Sequence, residues 1–158
     1  MIRVCGPEEF EILYRIINGA AQAYKGVIPP DCWHEPYMPR DGLRAEMGRM
    51  AFFGWEEDGE LTGVMGFQPV KDVTLIRHAY VLPEHQRRGI GSRLLVYLKG
   101  LTATPRLLVG TWADATWAIR FYEKHGFRLE ANKDDLLRAY WEITERQIET
   151  SVVLGLEP

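Results

Sequence analysis

Residues 79–100 read AYVLPEHQRRGIGSRLLVYLKG. The apolar run Ala79 to Leu82 enters from the left with the character of a strand. On the right, Ile90, Leu94, Tyr97 or Leu98, and Leu101 recur at helical spacing, and Gly100 lies near the expected end of that helix. Between them sits QRRGIG, residues 86–91, two arginines directly before two glycines spaced by one residue. A strand that passes through a glycine-rich turn into a helix is an anion site by geometry. The first amides of the helix lack an internal acceptor, and the helix dipole favours negative charge there. Glycines let a ligand approach the backbone, and Arg87 and Arg88 add charge at the rim.

Which anion is not decided by the hexapeptide alone. A phosphate-binding P-loop needs a lysine before the serine that follows its last glycine; here Gly91 is followed directly by Ser92. A dinucleotide fingerprint needs a third glycine, and Ser92-Arg93-Leu94 does not supply it. A helix that merely begins at glycine, with its arginines in water, also fits.

The rest of the chain narrows the setting. It has 158 residues, 46% hydrophobic and 26% charged, as expected of one globular domain over residues 1–158 with a sizeable core. The net charge of −3 gives no general support for nucleic-acid binding. No apolar run approaches the ~20 residues that span a bilayer. The N-terminus MIRVCGPEEF has no secretory pattern, so the expected location is cytoplasmic. Cys5 and Cys32 are expected as reduced thiols, and His34, His78, His85 and His125 have no metal-ligand spacing, so no metal is expected.

MIRVC reads as a short strand. Pro7 and its acidic neighbours open a helix on Phe10, Leu13, Ile16 or Ile17, Ala20 and Tyr24. KGVIPPDCWHEPYMPRDG, with four prolines, cannot be one regular element, and Leu43, Met47 and Met50 mark a second helix after it. Asp58-Gly59 turns a hairpin between two apolar strands, and Val73 to Leu82 extends it. RLLVGTW is a strand, ATWAIRFYEKHGF a helix closed by Gly126, FRLE a short strand, KDDLLRAYW a helical turn or short helix, and IETSVVLGL a final strand. This order implies a mixed, layered α/β sheet of about six to seven strands with helices on both faces. The strand–helix–strand unit from about residue 73 to 111 should give two neighbouring parallel strands.

Two segments together resemble a known family. Gln86-Arg87-Arg88-Gly89-Ile90-Gly91 matches the [QR]xxGx[GA] motif of the GCN5-related N-acetyltransferase (GNAT) superfamily. Ala118 to Phe127, AIRFYEKHGF, resembles its second signature, AxxFYxxxGF, at the family's spacing. The likeness covers nearly the whole chain and is weakest over residues 25–40 and 131–147. It implies a GNAT-like fold and acetyl-CoA as co-substrate. The coenzyme A pyrophosphate would sit on Arg87, Arg88, Gly89, Ile90, Gly91 and Ser92. The pantetheine arm would pair with the backbone of Ala79, Tyr80 and Val81 where two parallel strands part. The implied activity is N-acetyl transfer to a primary amine by direct attack in a ternary complex. The alternative is an acyl-CoA-binding sensor or subunit that has lost catalysis.

Acetyl transfer from a thioester needs an amine that loses a proton, a stabilised carbonyl oxygen and a protonated leaving thiolate. The resemblance makes Tyr122 the general acid. Helical spacing puts Ala118, Tyr122 and His125 on one stripe and the core candidates Trp117 and Phe121 on another. Ala115 stands where the family often has an asparagine, Gly110 and Leu75 where some members carry a glutamate base. His78 is the nearest titratable group on the strand and the candidate base, with Glu149 and a water chain as alternatives. Trp33, His34, Glu35 and Tyr37 lie in the proline-rich loop, where aromatic residues often line a binding mouth; Trp33, Glu35 and Tyr37 are the candidate acceptor residues, joined by Tyr24 or Trp55. The acceptor would be a small-molecule or peptide amine, with no nucleic acid or membrane partner. Dimerisation is common in the family, and the last strand offers an edge for a homodimer.

Overall fold

A computed structural model describes residues 1–158. Seven strands form one sheet: β1 (Ile2–Val4), β2 (Ala51–Glu57), β3 (Glu60–Val70), β4 (Val73–Val81), β5 (Arg106–Trp112), β6 (Arg128–Leu129) and β7 (Ser151–Leu156), in spatial order β1-β2-β3-β4-β5-β7-β6. Six helices accompany them: α1 (Phe10–Ala21), α2 (Arg40–Arg49), α3 (Ile90–Leu101), α4 (Thr116–Lys124), α5 (Lys133–Tyr140) and α6 (Glu145–Thr150). The expected mixed α/β architecture is present, with the parallel pair at β4 and β5.

Alternation along the strands sorts the apolar residues to two faces. On one face Met65, Ile76, Leu107, Val109 and Leu154 pack under α3 and α4, through Ile90, Leu94, Leu98 and Phe127. On the other, Phe52, Leu61 and Val64 pack under α1 and α2, and Val73, Leu75, Leu108 and Val153 under α5 and α6. The β2–β3 hairpin turns on Asp58 (φ 54°) and Gly59 (φ 78°), the double positive φ that Asp-Gly was expected to supply. The proline-rich loop is irregular but fastened: Asn18 Nδ2 donates to Met38 O at 3.1 Å, and Met38 N donates to Asn18 Oδ1 at 2.8 Å.

Two expectations need correction. IETSVVLGL is not one strand: Ile148, Glu149 and Thr150 end α6, and only Ser151–Leu156 is extended. The cause is a capping box, Thr144 accepting from Gln147 N while the Gln147 side chain accepts from Thr144 N. Trp117 is not a core residue but 44% exposed, whereas Tyr122 joins the core cluster.

The feature that positions the site is in β4. It pairs with β5 only from Val73 to Ile76, against Arg106 to Val109. Beyond that point β5 stays with β7 and β4 stays with β3, so the two parallel strands part. The parting coincides with a bulge: Val64 faces Tyr80 but Gly66 faces Arg77, leaving an extra residue on β4. His78 takes it up at φ 52°. Bulges bend the strand that carries them. Gly66 opposite is there by necessity, since a Cβ on it would lie 2.8 Å from both Arg77 O and Met50 Sδ. Replacing Gly66 by valine should therefore destabilise the fold by about 1–3 kcal/mol, read as a lower urea midpoint with the slope unchanged.

Candidate active site

The parted strands open onto two cavities. The larger, about 690 Å³, is lined along one wall by Ala79, Tyr80 and Val81 of β4, at its head by Gln86, Arg87, Gly89, Ile90, Gly91 and Ser92, and along the other wall by Trp117, Ala118, Phe121, Tyr122 and Lys124 of α4. The smaller, about 180 Å³, lies deeper in the split, between His78 and Tyr80 on β4, Gly110 to Trp112 on β5, Tyr37, and Leu137, Trp141 and Ile143 near the chain's C-terminal third. The cavities share Tyr24, Ala79, Tyr80, Ala118 and Tyr122, which marks where they meet.

The head of the large cavity has the geometry expected of an anion cradle. Arg87 (φ 67°) and Gly89 (φ 79°) take left-handed conformations that swing the chain into α3. Arg93 N is the first amide to find a helical acceptor, Gly89 O at 3.0 Å, so those of Ile90, Gly91 and Ser92 are left for a ligand. The lining contains no Asp or Glu, and His85, Arg87 and Lys124 stand around it. Arg88 departs from the expectation: it lies outside the lining and turns toward His85, at 3.4 Å. Ser92 Oγ is 2.9 Å from His125 Nε2, tying the start of α3 to the end of α4.

Tyr122 is 5% exposed, its ring against Phe121 and Phe127. It shares the core stripe rather than avoiding it, because Phe121 has turned toward Gly91 and the cleft (a Cβ on Gly91 would meet its ring at 3.5 Å). Burial, helped by the nearby Tyr24 hydroxyl, holds the Tyr122 phenol well above the ordinary tyrosine value, so it stays a neutral donor.

His78 lines the small cavity. Its Nε2 is 2.6 Å from Oε2 of Glu46, on α2. The same carboxylate meets Arg77 at 3.1 Å and Arg49 at 3.2 Å. Burial lowers the His78 pKa below its usual value, outweighing the Glu46 hydrogen bond. Burial by itself would raise Glu46, but the His78 hydrogen bond and the charges around it hold its carboxyl below the usual range. Both shifts are those of a neutral imidazole held at Nε2 against a carboxylate. The sequence reading missed Glu46. An acid at the position between Leu43 and Met50, inside an apolar stripe, was the signal.

Gly110 carries no base, and a Cβ there would meet the Trp141 ring at 3.4 Å: an indole covers the place where a β5 carboxylate would stand. Leu75 is core and Ala115 is buried. Glu149 lies on α6, exposed and paired with Arg146 at 3.3 Å, not on the last strand. Among the loop residues, Tyr37 reaches the small cavity and its hydroxyl accepts Trp112 Nε1–H at 2.8 Å. Trp33 stacks behind it at 5.9 Å. Glu35 lines neither cavity; Lys25 at 3.1 Å, Gln22 and Trp33 hold its carboxylate on the surface. Tyr24, sandwiched between Trp117 (5.9 Å) and Tyr37 (5.3 Å), is the wall between the cavities, whereas Trp55 lies away from both under Arg93. No cluster of His, Cys, Asp or Glu side chains is arranged to hold a metal, and no helix is long and apolar enough to cross a membrane.

Fold and cleft define a class of protein: a mixed α/β sheet split at its parallel pair, with an anion cradle at the mouth and an aromatic pocket beneath. Comparison with known proteins says which. The family described as acetyltransferase (GNAT) domain matches residues 48–129, just over half of the chain. The chain belongs to this GNAT acetyltransferase family. Peptidyl-lysine N-acetyltransferase YiaC of Escherichia coli (strain K12) is 33% identical over 75 residues, 48% of this chain and 48% of YiaC, so the match spans about half the length of that curated relative. The PaiA N-acetyltransferase of Thermoplasma acidophilum, solved in complex with coenzyme A, has a TM-score of 0.76 at 18% identity over 100% of this chain and 98% of its own. The ribosomal-protein-S18-alanine N-acetyltransferase of Escherichia coli has a TM-score of 0.72 at 20% identity, over 99% and 92%. At these identities the structural likenesses establish the fold.

The His78–Glu46 pair also sets a pH dependence of stability. A histidine held below its ordinary pKa resists protonation in the fold, while the unfolded chain takes up the proton near pH 6.5; its destabilising contribution therefore grows as pH falls below about 6.5. Glu46, held low, adds a further loss below about pH 4.3. Thermal melts should show a falling Tm from pH 7 to 5, and the fall should be shallower in His78→Gln.

Proposed function

We propose that the chain is an acetyl-CoA-dependent N-acetyltransferase acting on a primary amine in a ternary complex. The observation that carries this reading is the meeting of the two cavities at Tyr122 and Ala79, one with an anion cradle and the other without an anion site. The coenzyme A pyrophosphate takes the amides of Ile90, Gly91 and Ser92 with Arg87 alongside. The pantetheine arm runs along the edge of β4 past Ile76, which has no strand partner on the β5 side. Its amides add to that edge as an extra strand would. Neither cysteine lines a cavity, and burial pushes the Cys5 thiol up to about 11, so direct attack is favoured over a cysteine-bound intermediate.

The acceptor enters as an ammonium, R–NH3⁺. One proton passes to His78 Nδ1 and on to solvent. The freed lone pair adds to the thioester carbonyl carbon, whose oxygen takes the negative charge. The carbon–sulfur bond then breaks with its electron pair on sulfur. The second proton lost by nitrogen compensates the sulfur by way of Tyr122, giving the amide and the coenzyme A thiol. Because burial holds Tyr122 neutral, its role begins as hydrogen-bond donation to the developing thiolate.

The small cavity narrows the acceptor. Its lining is rich in Tyr24, Tyr37, Tyr80, Trp112 and Trp141 and contains no Asp or Glu. The nearest loop acids are committed, Asp31 to Arg146 at 2.9 Å and Glu35 to Lys25 at 3.1 Å. An acid-free aromatic pocket disfavours the ammonium and so eases its deprotonation by a weak base. It has no partner for a second cation. The acceptor is a monoamine on an apolar or aromatic body.

A thermal-shift series with acetyl-CoA, coenzyme A and ATP tests the donor site. Stabilisation by the two CoA ligands is expected, and a rise with ATP alone would overturn it. Thiol release with an amine panel tests the acceptor: 2-phenylethylamine should exceed spermidine in kcat/KM by about tenfold or more, since burying an unpaired charge is costly; the reverse order refutes the assignment. Tyr122→Phe should lower kcat about 10- to 100-fold while acetyl-CoA affinity stays within twofold or so.

A further inference from the structure

We infer that Glu46 is the positioning residue of the base: from α2, across the β4 bulge, its carboxylate fixes His78 as the Nε2–H tautomer and turns Nδ1 into the proton acceptor. This rests on the proposed role of His78.

A glutamate only 8% exposed on the buried stripe of its helix, beside Leu43, calls for a reason, because burying a carboxylate is costly without compensation. The compensation is divided. Oε1 meets Arg49 at 3.2 Å, and Oε2 meets both Arg77 at 3.1 Å and His78 Nε2 at 2.6 Å. The His78 hydrogen bond first and the arginine charges after it keep the carboxylate ionised, and the imidazole receives its shortest contact. An ionised acceptor at that distance requires the hydrogen on Nε2. Phe52, stacked on the imidazole at 6.0 Å and 25°, holds the ring plane.

The backbone adds an independent observation. His78 holds a left-handed conformation, φ 52°, that costs a non-glycine residue of order 1–3 kcal/mol. This is the turn that brings Arg77 and His78, consecutive residues, to the same carboxylate. Strain kept at a bulge beside a cavity marks a position where the side chain, not the backbone, is wanted. The charged groups facing the imidazole are Glu46 of α2 and Arg77 of its own strand; Arg49 of α2 stands on the other oxygen of Glu46, with Glu142 behind it at 3.7 Å. As Nδ1 takes a proton, Glu46 stabilises the imidazolium, while burial first and the Arg77 charge second keep His78 from being protonated beforehand.

The test is Glu46→Gln beside His78→Gln and the double variant, each followed by thiol release against pH with the best amine of the panel and by acetyl-CoA thermal shift. Glu46→Gln should keep the acetyl-CoA shift and its KM, lose about 10- to 100-fold in kcat, and move the acid limb of kcat/KM to lower pH, since the carboxylate that raises the imidazole pKa is gone. The double variant should be no slower than His78→Gln alone, as expected of residues acting as a unit. A wild-type rate and limb in Glu46→Gln, or losses that multiply in the double variant, overturn the inference. A merely structural tie would not move the limb. An arm that needs no acceptor is the nitrogen-15 spectrum of His78 in the wild-type protein: Nε2–H is expected, and an Nδ1–H ring overturns the inference. Failure of acetyl-CoA to bind would overturn the acetyltransferase reading, whereas the tautomer answers for Glu46 separately.

Discussion

The extra residue in β4 is the constraint on which the rest of the structure depends. One positive φ at His78 uncouples the pleat, so the strand that is bound to β5 as far as Ile76 continues to Val81 with one edge free. Without it the parallel pair would zip on and there would be no room between β4 and β5. Gly66 makes the bulge sterically possible and Glu46 fastens its outer face. A backbone irregularity, a glycine on one neighbour and a carboxylate on another element thus form a single device. It opens the sheet and sets the His78 imidazole at the opening.

The two cavities divide the electrostatic work. The cradle at the start of α3 gathers unpaired amides and basic side chains where a pyrophosphate would lie. The deeper pocket has one charged lining side chain, Arg77, which is paired with Glu46; its tyrosine hydroxyls are kept neutral by burial, and the loop carboxylates nearby are paired elsewhere. On the proposed function these different environments suit the two ligands, since one is an anion and the other must shed a positive charge before it can react.

Much of this was legible in the chain. QRRGIG marked the glycine turn into α3 and AIRFYEKHGF the helix beside it, Asp58-Gly59 marked the hairpin, and period-two and helical patterns placed the elements. What was not legible is what depends on contact between distant segments. Glu46 and His78 lie 32 positions apart, and no local pattern announces that they touch. The bulge has no turn residue of its own, since histidine stands where glycine or asparagine would have signalled a left-handed site. Trp117 reads as core by spacing but sits at the rim, because Tyr122 and Phe127 already fill the space under α4. Arg88 and Glu35 had the right chemistry and the wrong direction, which only side-chain partners reveal.

The indole of Trp141 over Gly110 has a further consequence. Strand β5 offers no side chain there, and the pocket floor is furnished by a ring from beyond α5, facing Tyr24 and Tyr37 from the N-terminal third. The head and the two main walls of the larger cavity, by contrast, come from residues 79 to 124, with Ala20, Ala23, Tyr24, Val64 and Met65 completing its lining. The specificity surface is thus upholstery laid over a fixed frame. On the proposed function, exchanging Tyr37 or Trp141, which border the deeper pocket alone, would alter which amine is admitted while leaving the cradle intact, whereas Tyr24 lines both cavities and ties the two halves together.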